Sequence, residues 1–189
     1  MKGVYIFLAE GFEPVEALAP LDVLRRGGIP VKTVSIGPER TVTSAHGIPV
    51  VADLGIGEID LYGDASARDA MIFPGGMPGA LNLSRCKVLT DSLKAHFAQG
   101  GTVAAICAAP GLVLSTLDGL EGVDFTCYDG FEDYLIAKGA NHIPEGCVTD
   151  GNIITGRGPG YAVEFGLAIL SHLKGEAVAE EVRSGMFLN

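Results

Sequence analysis

Short apolar runs of strand length alternate along this chain with segments that have the spacing of amphipathic helices. Residues 4–9 form the first apolar run, residues 14–26 have helical spacing, and residues 31–36 form a second run. The same order continues with apolar runs at 70–73, 102–106, 123–127 and 153–155 and helical segments at 88–97, 111–117 and 161–173. This alternation predicts parallel strands with crossover helices, because parallel neighbours need long connections.

The strand-length runs are apolar at successive positions rather than at alternate ones, as in Val4 to Ala9. Strands of that kind are buried on both faces. We therefore predict an α/β fold in which a mostly parallel, doubly wound sheet carries helices on both faces, within one domain spanning residues 1–189. A short hairpin is predicted in addition, with strands at 42–45 and 48–52 around His46-Gly47.

The charge balance limits the partners of the chain. Its 189 residues carry a formal net charge of -10, and the largest basic cluster is the pair Arg25-Arg26. This surplus of negative charge argues against nucleic acid or an anionic membrane as the main partner. No apolar segment approaches the length of a membrane span, and the first run is too short for the apolar region of a secretory signal. We therefore expect a cytoplasmic protein.

The cysteines give little support to a metal site. They are Cys86, Cys107, Cys127 and Cys147. None of them forms a C-x-x-C pair, which is the usual spacing of a structural zinc site. In a reducing cytosol we expect free thiols rather than disulfides.

Cys107 ends an apolar run of small and β-branched residues, and a Pro-Gly pair and a new helical segment follow it. This order predicts a buried strand, a sharp turn and the start of a helix. Ala105 and Ala109 lie two residues before and after the cysteine, where a nucleophile elbow requires small side chains. The positive end of the helix would lower the thiol pKa and favour a reactive thiolate. The alternative is a buried structural cysteine, since free cysteine is among the most buried residue types.

Sites in doubly wound sheets lie beyond the carboxyl ends of the strands. Four loops leave those ends, at residues 10–16, 74–79, 107–109 and 155–160. In the first loop, Glu16 lies just inside the predicted helix and can point back over the end of the sheet. A carboxyl group beside a thiol in a dry cleft would have a raised pKa, and it would donate a hydrogen bond to the sulfur or act as an acid and base. The alternative role for Glu16 is simple capping of the helix.

The other loops add candidate groups that would bind a substrate. The paired glycines Gly75 and Gly76 let the backbone turn its N–H groups towards a ligand, and with the amide of Ala108 they would form an oxyanion hole. A plain tight turn is the alternative for these glycines. Arg157 would hold an anionic substrate group or an oxidised sulfur, or else pair with a local carboxylate. The phosphate-binding glycine motifs are absent after the first strand, which argues against a nucleotide site.

Four motifs follow one another along the chain. They are Ala-Glu-Gly-Phe-Glu-Pro-Val-Glu16-Ala, Phe73-Pro-Gly-Gly-Met, Ala104-Ala-Ile-Cys107-Ala-Ala-Pro and Gly156-Arg-Gly-Pro-Gly. In this order and at these spacings they resemble the pattern of the ThiJ/PfpI family. Within that family the chain is similar to the parkinsonism-associated protein deglycases and to their bacterial relatives, often labelled thiazole monophosphate biosynthesis proteins. The resemblance covers the chain from residue 3 to about residue 182.

The resemblance implies a flavodoxin-like sandwich, similar to that of the class I glutamine amidotransferases, and a homodimer. By motif position, Cys107 resembles the reactive and readily oxidised cysteine of the family, and Glu16 the glutamate that hydrogen-bonds it. Gly75, Gly76 and the amide of Ala108 match the backbone around the sulfur. No metal or organic cofactor is implied. Family members are credited with glyoxalase activity, with removal of methylglyoxal adducts from proteins and with redox-dependent chaperone behaviour.

One position departs from the family pattern. Several relatives carry a histidine after the elbow helix that can assist the cysteine, and Tyr128 occupies that place here. This argues against a cysteine–histidine peptidase and makes Tyr128 an accessory residue. The histidines of this chain are predicted to be structural or solvated, with His46 and His96 on the surface.

Together these residues predict a cofactor-independent enzyme that acts on reactive carbonyls. The Cys107 thiolate would attack an aldehyde such as methylglyoxal, either free or as an adduct on a glycated protein, and Glu16 would move the proton. The alternative is a redox-sensing stress protein or chaperone that is regulated by oxidation of Cys107 to a sulfinate. An intracellular peptidase is the third hypothesis and has the least support.

Overall fold

Strands and helices alternate through residues 1–188, the part of the chain that the computed structural model describes. The strands are β1 (Val4–Leu8), β2 (Lys32–Ser35), β3 (Thr41–Thr43), β4 (Pro49–Val51), β5 (Leu54–Gly55), β6 (Ala70–Phe73), β7 (Thr102–Ile106), β8 (Asp124–Phe125), β9 (Asn141–His142), β10 (Cys147–Asp150) and β11 (Ile153–Gly156). The helices are α1 (Pro14–Arg26), α2 (Gly79–Arg85), α3 (Lys87–Ala98), α4 (Ala109–Leu112), α5 (Asp133–Ile136), α6 (Ala162–Lys174) and α7 (Glu176–Gly185). None of these helices is long and apolar enough to cross a membrane.

Seven strands form the central sheet, in the order β10-β11-β7-β6-β1-β2-β5. Its neighbouring strands are parallel, except that β10 runs antiparallel to β11 at one edge. From β1 the chain moves outwards to β2 and β5, and then returns to β6 and β7 on the other side. This is the doubly wound arrangement that the sequence predicts. The predicted hairpin is confirmed as the antiparallel pair β3 and β4.

Apolar clusters cover both faces of the sheet, as the successive apolar residues in its strands predict. Along β1, Phe7 belongs to one cluster, whereas Ile6 and Leu8 belong to the other. Side chains from α2, α3 and the segment after β7 complete the first cluster: Leu83, Leu89, Leu93, Ala109 and Val113. Side chains from α1 and α6 complete the second: Ala17, Val23, Leu24, Phe165, Ile169 and Leu170. The loops at the ends of the strands therefore stand on a sheet that is fixed from both sides.

Helix α1 carries Glu16 and packs closely against α6. Pro14 occupies the first turn of α1, where its missing N–H has no helical partner to lose. A Cβ atom on Gly166 would lie 2.9 Å from the Cα of Pro20, so only glycine permits this close approach of the two helices. Helix α1 is therefore held against α6 on one face of the sheet.

The structure differs from the predicted pattern in several places, and β5, β9, β10 and α5 are among the elements that the sequence does not predict. Helix α4 has only four residues and continues as a 3-10 turn at Leu114–Thr116, so the helix predicted at 111–117 is shorter and irregular. The run at 123–127 contributes only the short strand β8, which pairs with β9 outside the central sheet. Helices α2 and α7 are not predicted, because α2 begins within a Pro-Gly turn motif and α7 lies in a charged segment with few apolar residues.

Candidate active site

The carboxyl ends of three neighbouring strands bring the predicted catalytic residues together. Strands β7, β6 and β1 lie side by side in the sheet. Cys107 follows β7 directly, Gly75 comes two residues after β6, and Glu16 lies in the first turn of α1, which follows β1. A Cβ atom on Gly75 would lie 2.6 Å from Glu16 Oε2 and 3.1 Å from Cys107 Sγ. The carboxyl group and the thiol therefore flank the same glycine.

Cys107 occupies a strained turn. Its φ of 66° lies in the left-handed region, which residues other than glycine rarely adopt. Two backbone hydrogen bonds of 2.9 Å hold it there, one from the Cys107 N–H to Gly156 O and one from the Tyr128 N–H to Cys107 O. Strain that the surrounding structure maintains is typical of functional sites. The strand, the sharp turn and the helix start follow in the order predicted from the sequence.

Glu16 is fully buried although its side chain can carry a charge. Its Oε2 accepts a hydrogen bond from the Gly75 N–H at 2.9 Å, and its Oε1 has no hydrogen-bond partner among the described residues. Burial raises the pKa of Glu16 to about 7, and the Cys107 thiol and the Gly75 amide oppose this rise only in part. A carboxyl group that exchanges its proton near neutral pH can act as both acid and base. Neither carboxyl oxygen of Glu16 accepts a hydrogen bond from the backbone of α1, since Oε2 binds Gly75 and Oε1 has no partner among the described residues.

Gly75 and Gly76 occupy different positions around the thiol. The N–H of Gly75 donates to Glu16 Oε2 and so holds the carboxyl group. It does not form part of the oxyanion hole that the sequence predicts. The amides of Gly76 and Ala108 lower the pKa of the Cys107 thiol. Gly76 has a φ of 84°, and a Cβ atom there would collide with the backbone of residues 11–13. Two backbone amides, those of Gly76 and Ala108, therefore favour negative charge at the reacting position.

The thiol of Cys107 is a weaker acid than the sequence predicts. Burial and then the negative charge of Glu16 raise its pKa to about 12, whereas the amides of Ala108 and Gly76 lower it. The predicted lowering of the pKa by a helix end is therefore wrong. Helix α4 is too short to supply much positive potential, and a carboxylate lies next to the sulfur.

The carboxyl group and the thiol titrate as a coupled pair. Loss of the first proton, near the Glu16 pKa of about 7, leaves the two groups with one proton and one negative charge. The charge then lies either on the Glu16 carboxylate or on the Cys107 sulfur. In the second arrangement Glu16 is neutral, and the amides of Gly76 and Ala108 stabilise a thiolate. The pair can thus form a nucleophile and hold its proton ready in the same place.

Arg157 is bound to a carboxylate that lies close to it. Its Nη2 donates to Asp129 Oδ1 at 2.8 Å, and its Nη1 donates to Pro144 O at 3.3 Å. Of the two roles considered from the sequence, local pairing is therefore the one that the structure shows. Sequence reasoning does not identify Asp129 as the partner, since it lies 28 positions away and only the fold brings it close. Tyr128 lies beside Cys107 through its backbone, and its ring is half exposed.

Within the described residues, no histidine hydrogen-bonds Cys107, which leaves the peptidase hypothesis without a base. His46 is exposed as predicted, with Nε2 at 3.0 Å from Glu13 Oε2. The prediction for His96 is wrong, because its ring is fully buried against Gly101 and its Nε2 lies 3.0 Å from Thr102 O. Residues 1–188 also contain no cluster of three or more potential metal ligands. The expectation of a cofactor-free site stays a prediction.

Proteins of known family are similar to this chain in sequence and in structure. A family model described as the DJ-1/PfpI family matches residues 2–172, a range that contains all the site residues above. The Arabidopsis thaliana protein named Protein DJ-1 homolog A is 40% identical over 187 residues. That match covers 99% of this chain but 47% of the plant protein, so the chain spans about half the length of that relative.

Two further matches cover most of both partners. The Caenorhabditis elegans protein named Glutathione-independent glyoxalase DJR-1.2 is 32% identical over 166 residues, which is 88% of this chain and 85% of the nematode protein. The solved structure of oxidized Toxoplasma gondii DJ-1 superposes with a TM-score of 0.88 at 32% identity and covers 97% of each chain. The similarity therefore extends over the whole sheet and both helical layers.

Proposed function

The chain belongs to the DJ-1/PfpI family and has the flavodoxin-like fold of that family, and we propose that it is a cofactor-independent, cysteine-dependent enzyme that converts reactive 2-oxoaldehydes into 2-hydroxy acids. The observation that carries the proposal is the buried pair in which Glu16, with a pKa of about 7, lies beside the Cys107 thiol. The name of the nematode relative, a glutathione-independent glyoxalase, supports the same class of reaction.

The first half of the reaction is attack on the aldehyde. The Cys107 thiolate forms a C–S bond with the aldehyde carbon of methylglyoxal, and the electron pair of the C=O bond moves to oxygen. The amides of Gly76 and Ala108 stabilise this oxyanion, since they already lie at the sulfur. The oxygen then takes the proton held by Glu16, which gives a neutral hemithioacetal and a carboxylate.

The second half moves a proton and releases the product. The Glu16 carboxylate removes the proton from the former aldehyde carbon and returns it to the neighbouring carbon through an enediol. One carbon is thereby oxidised to a thioester and the other is reduced to an alcohol, so no external oxidant or reductant takes part. Water attacks the thioester and the C–S bond breaks; one proton of the water returns to Glu16, the other leaves with the lactate product, and the thiolate is regenerated.

Formation of lactate from methylglyoxal in the absence of glutathione tests this proposal directly. We expect the purified protein to release lactate, measured by proton NMR, and Cys107→Ser to lose at least about a thousandfold in kcat/KM. Cys86→Ser is the matched control, because Cys86 is a half-buried free thiol that lies at the start of α3 and outside the site. Equal turnover by wild type and Cys107→Ser would overturn the proposal.

The same pair of residues supports action on protein adducts. An early adduct of methylglyoxal on a lysine, arginine or cysteine side chain keeps a carbon at the aldehyde oxidation level, which a thiolate can attack with departure of the amine or thiol. We propose this deglycase-like reaction as the extension of the first one. Release of lactate from a peptide that has been treated with methylglyoxal and freed of excess reagent is the corresponding assay.

A second function, redox sensing through Cys107, is favoured by the backbone amides at the sulfur. Two molecules of hydrogen peroxide would convert the thiolate into a sulfinate with release of two waters. The amides of Gly76 and Ala108 would bind the sulfinate oxygens, and neutral Glu16 would donate a hydrogen bond to one of them. That the Toxoplasma gondii relative was solved in an oxidized form supports this candidate.

Mass spectrometry separates the redox candidate from the enzymatic one. We expect mild peroxide to add two oxygens to the peptide that contains Cys107, with a parallel change in the ability of the protein to suppress aggregation of a client. Oxidation without any such change would contradict a sensing or chaperone role. It would not contradict the proposal that the protein forms lactate.

Assembly and location are further proposals. The family resemblance implies a homodimer, and light scattering of the purified protein would show a mass close to twice the 19.6 kDa of one chain. All four cysteines are free thiols in the structure, which suits a reducing compartment, and we expect a cytoplasmic location. Cell fractionation tests that expectation.

A further inference from the structure

A cleft of about 290 Å³ lies beside the backbone turn that carries Cys107 and has no part in the chemistry proposed above. It is lined by Tyr128, Asp129 and residues 157–161. Both of its sides are attached to the backbone of Cys107. The Tyr128 N–H donates to Cys107 O, and the Cys107 N–H donates to Gly156 O, one residue before the cleft begins. The position of the cleft relative to the nucleophile is therefore fixed by hydrogen bonds.

Two tyrosine rings form the walls of the cleft. The exposed fractions of Tyr128 and Tyr161 are 50% and 44%, which is high for aromatic side chains that border a cavity. The ring of Tyr128 lies over Gly158, where a Cβ atom would touch it at 3.4 Å, and the ring of Tyr161 packs directly on Gly146. Each ring thus rests against a glycine backbone, and about half of each side chain stays exposed.

The third side of the cleft is formed by the ion pair of Arg157 and Asp129. The guanidinium donates to Asp129 and to Pro144 O, so it is held in place and its charge is balanced by the carboxylate. A cleft with aromatic walls and a neutralised polar side favours a flat, mostly apolar group over a small charged one. Its volume lies near the lower end of ligand pockets, about 300 Å³, and suits a single ring better than a methyl group.

We infer that this cleft is the subsite for the non-reacting substituent of the carbonyl substrate, and that Tyr128 and Tyr161 select planar or aromatic substituents over methyl. The inference rests on the proposed function, because it assigns the part of the substrate that does not react. It makes both tyrosines specificity-determining residues that contact the substituent and take no part in proton transfer. Their effect therefore lies in KM and depends on which substituent the substrate carries.

Steady-state kinetics with two substrates tests the inference. Initial rates are measured at pH 7 with methylglyoxal and with phenylglyoxal, which carry the same reacting group on a methyl and on a phenyl substituent. We expect wild type to prefer phenylglyoxal in kcat/KM, and Tyr128→Ala and Tyr161→Ala each to lower that preference by about three- to tenfold, as expected for the loss of one aromatic contact. Tyr128→Phe keeps the ring and should keep the preference.

Tyr62→Ala is the matched control, because Tyr62 is similarly exposed at 58% and lies outside the cleft. It should show the wild-type preference. An unchanged preference in both cleft variants, or a wild-type preference for methylglyoxal, would overturn the inference. If an alanine variant fails to fold, Tyr128→Leu and Tyr161→Leu replace it, since leucine fills space without a ring.

A binding measurement keeps this result separate from the proposed function. In the Cys107→Ser background, NMR titration with mandelate and lactate reports on the cleft without any turnover. We expect mandelate to bind more tightly than lactate, and Tyr128→Ala in that background to weaken mandelate binding by about three- to tenfold. Absence of lactate formation in wild type would refute the reaction alone, whereas equal binding of mandelate and lactate would refute the subsite alone.

Discussion

The turn at Cys107 carries a half-buried thiol and the segment around Cys127 a fully buried one, and burial raises the pKa of both to about 12. The two regions are in direct contact, since Tyr128 donates its N–H to Cys107 O. Acidity therefore does not distinguish the candidate nucleophile from the cysteine next to it. The difference lies in the neighbours of each thiol and in the backbone that carries it.

Two features occur at Cys107 and not at Cys127 in the described residues. The backbone of Cys107 has a positive φ, and a fully buried carboxyl group lies beside its sulfur. Backbone amides lower the pKa of both thiols, those of Ala108 and Gly76 at Cys107 and that of Phe131 at Cys127. Of the carboxylates that raise the pKa of the fully buried Cys127, Asp129 is exposed and Glu132 is half-buried. A buried acid that stores a proton is thus what makes a weakly acidic thiol useful near neutral pH.

The largest expected difference between the two regions is in stability, because a negative charge on the buried Glu16 lowers the free energy of unfolding. The pKa of this carboxyl group is 4.5 when the chain is unfolded and about 7 when it is folded, so the unfolded state releases the proton first. Stability therefore falls as pH rises from 4.5 to 7, by about 3 kcal/mol in all. Glu16→Gln removes this cost, and we expect it to be more stable than wild type by about 3 kcal/mol at pH 8 and nearly equal at pH 4.

Urea unfolding at fixed protein concentration measures this difference, with circular dichroism as the signal because the chain has no tryptophan. Glu10→Gln is the control, since Glu10 belongs to the same loop but is exposed to solvent and is not among the groups that raise the pKa of Glu16. Substitutions at exposed positions usually change stability little. An equal gain at pH 4 and pH 8 in Glu16→Gln would show that the buried charge is not its source.

The next largest effect is expected in the rate at which Cys107 is alkylated at high pH. In wild type the coupled pair keeps one proton above pH 7, so the rate of reaction with iodoacetamide should level off there. In Glu16→Gln the amide side chain stores no proton, and the rate should go on rising about tenfold per pH unit. By pH 9 the variant is therefore expected to react about a hundredfold faster than wild type while its turnover of methylglyoxal falls.

Mass spectrometry of the separate cysteine peptides supplies an internal comparison. Cys147 is half-buried, and burial followed by the charge of Glu164 raises its pKa to about 12, but no buried acid accompanies it. Its rate should rise with pH without levelling off. Parallel pH profiles for Cys107 in wild type and Glu16→Gln would mean that the two groups do not share a proton.

The fold follows largely from the sequence because its signals are local. The runs at 70–73 and 102–106 and the helix at Pro14–Arg26 begin and end at the predicted residues. Helix α2 is not predicted in this way, since the Pro78-Gly79 pair at its start is typical of a turn. Burial of Ala80 and Leu83 in the core favours the helix. Strand β8 is likewise decided by its distant partner β9. Local pattern thus predicts the frame, whereas long-range packing decides the short elements.

The site is predictable to a smaller extent. The carboxyl-end rule brings Glu16, Gly75 and Cys107 to one edge of the sheet, and the structure places them together. The direction of the thiol pKa is not predictable in this way, because it depends on how deeply the sulfur and the carboxylate are buried together. The same limit applies to Gly75, whose N–H holds Glu16. Residue type and spacing indicate which groups meet, but their hydrogen bonds depend on the three-dimensional packing.

Gly75→Ala tests how closely the two side chains must approach each other. The new Cβ would lie 2.6 Å from Glu16 Oε2 and 2.7 Å from Cys107 Cβ, which forces both groups to move. We expect a loss of about 2 kcal/mol in stability, as for other overpacked sites, and a loss of turnover. Gly57→Ala is the control, since a Cβ there meets nothing within 4 Å. A well-folded Gly75→Ala with wild-type turnover would show that the pair tolerates separation.

The smallest effect is expected at the second thiol. Cys127→Ala removes a fully buried sulfur, and the small cavity should cost about 1 kcal/mol in stability, measured by urea unfolding. Its turnover of methylglyoxal should stay within about twofold of wild type, because Cys127 has no buried acid beside it to hold a transferable proton. A folded variant with more than a tenfold loss would place Cys127 in the reaction. Unchanged turnover would leave two neighbouring thiols of similar acidity with opposite importance, which only their surroundings can explain.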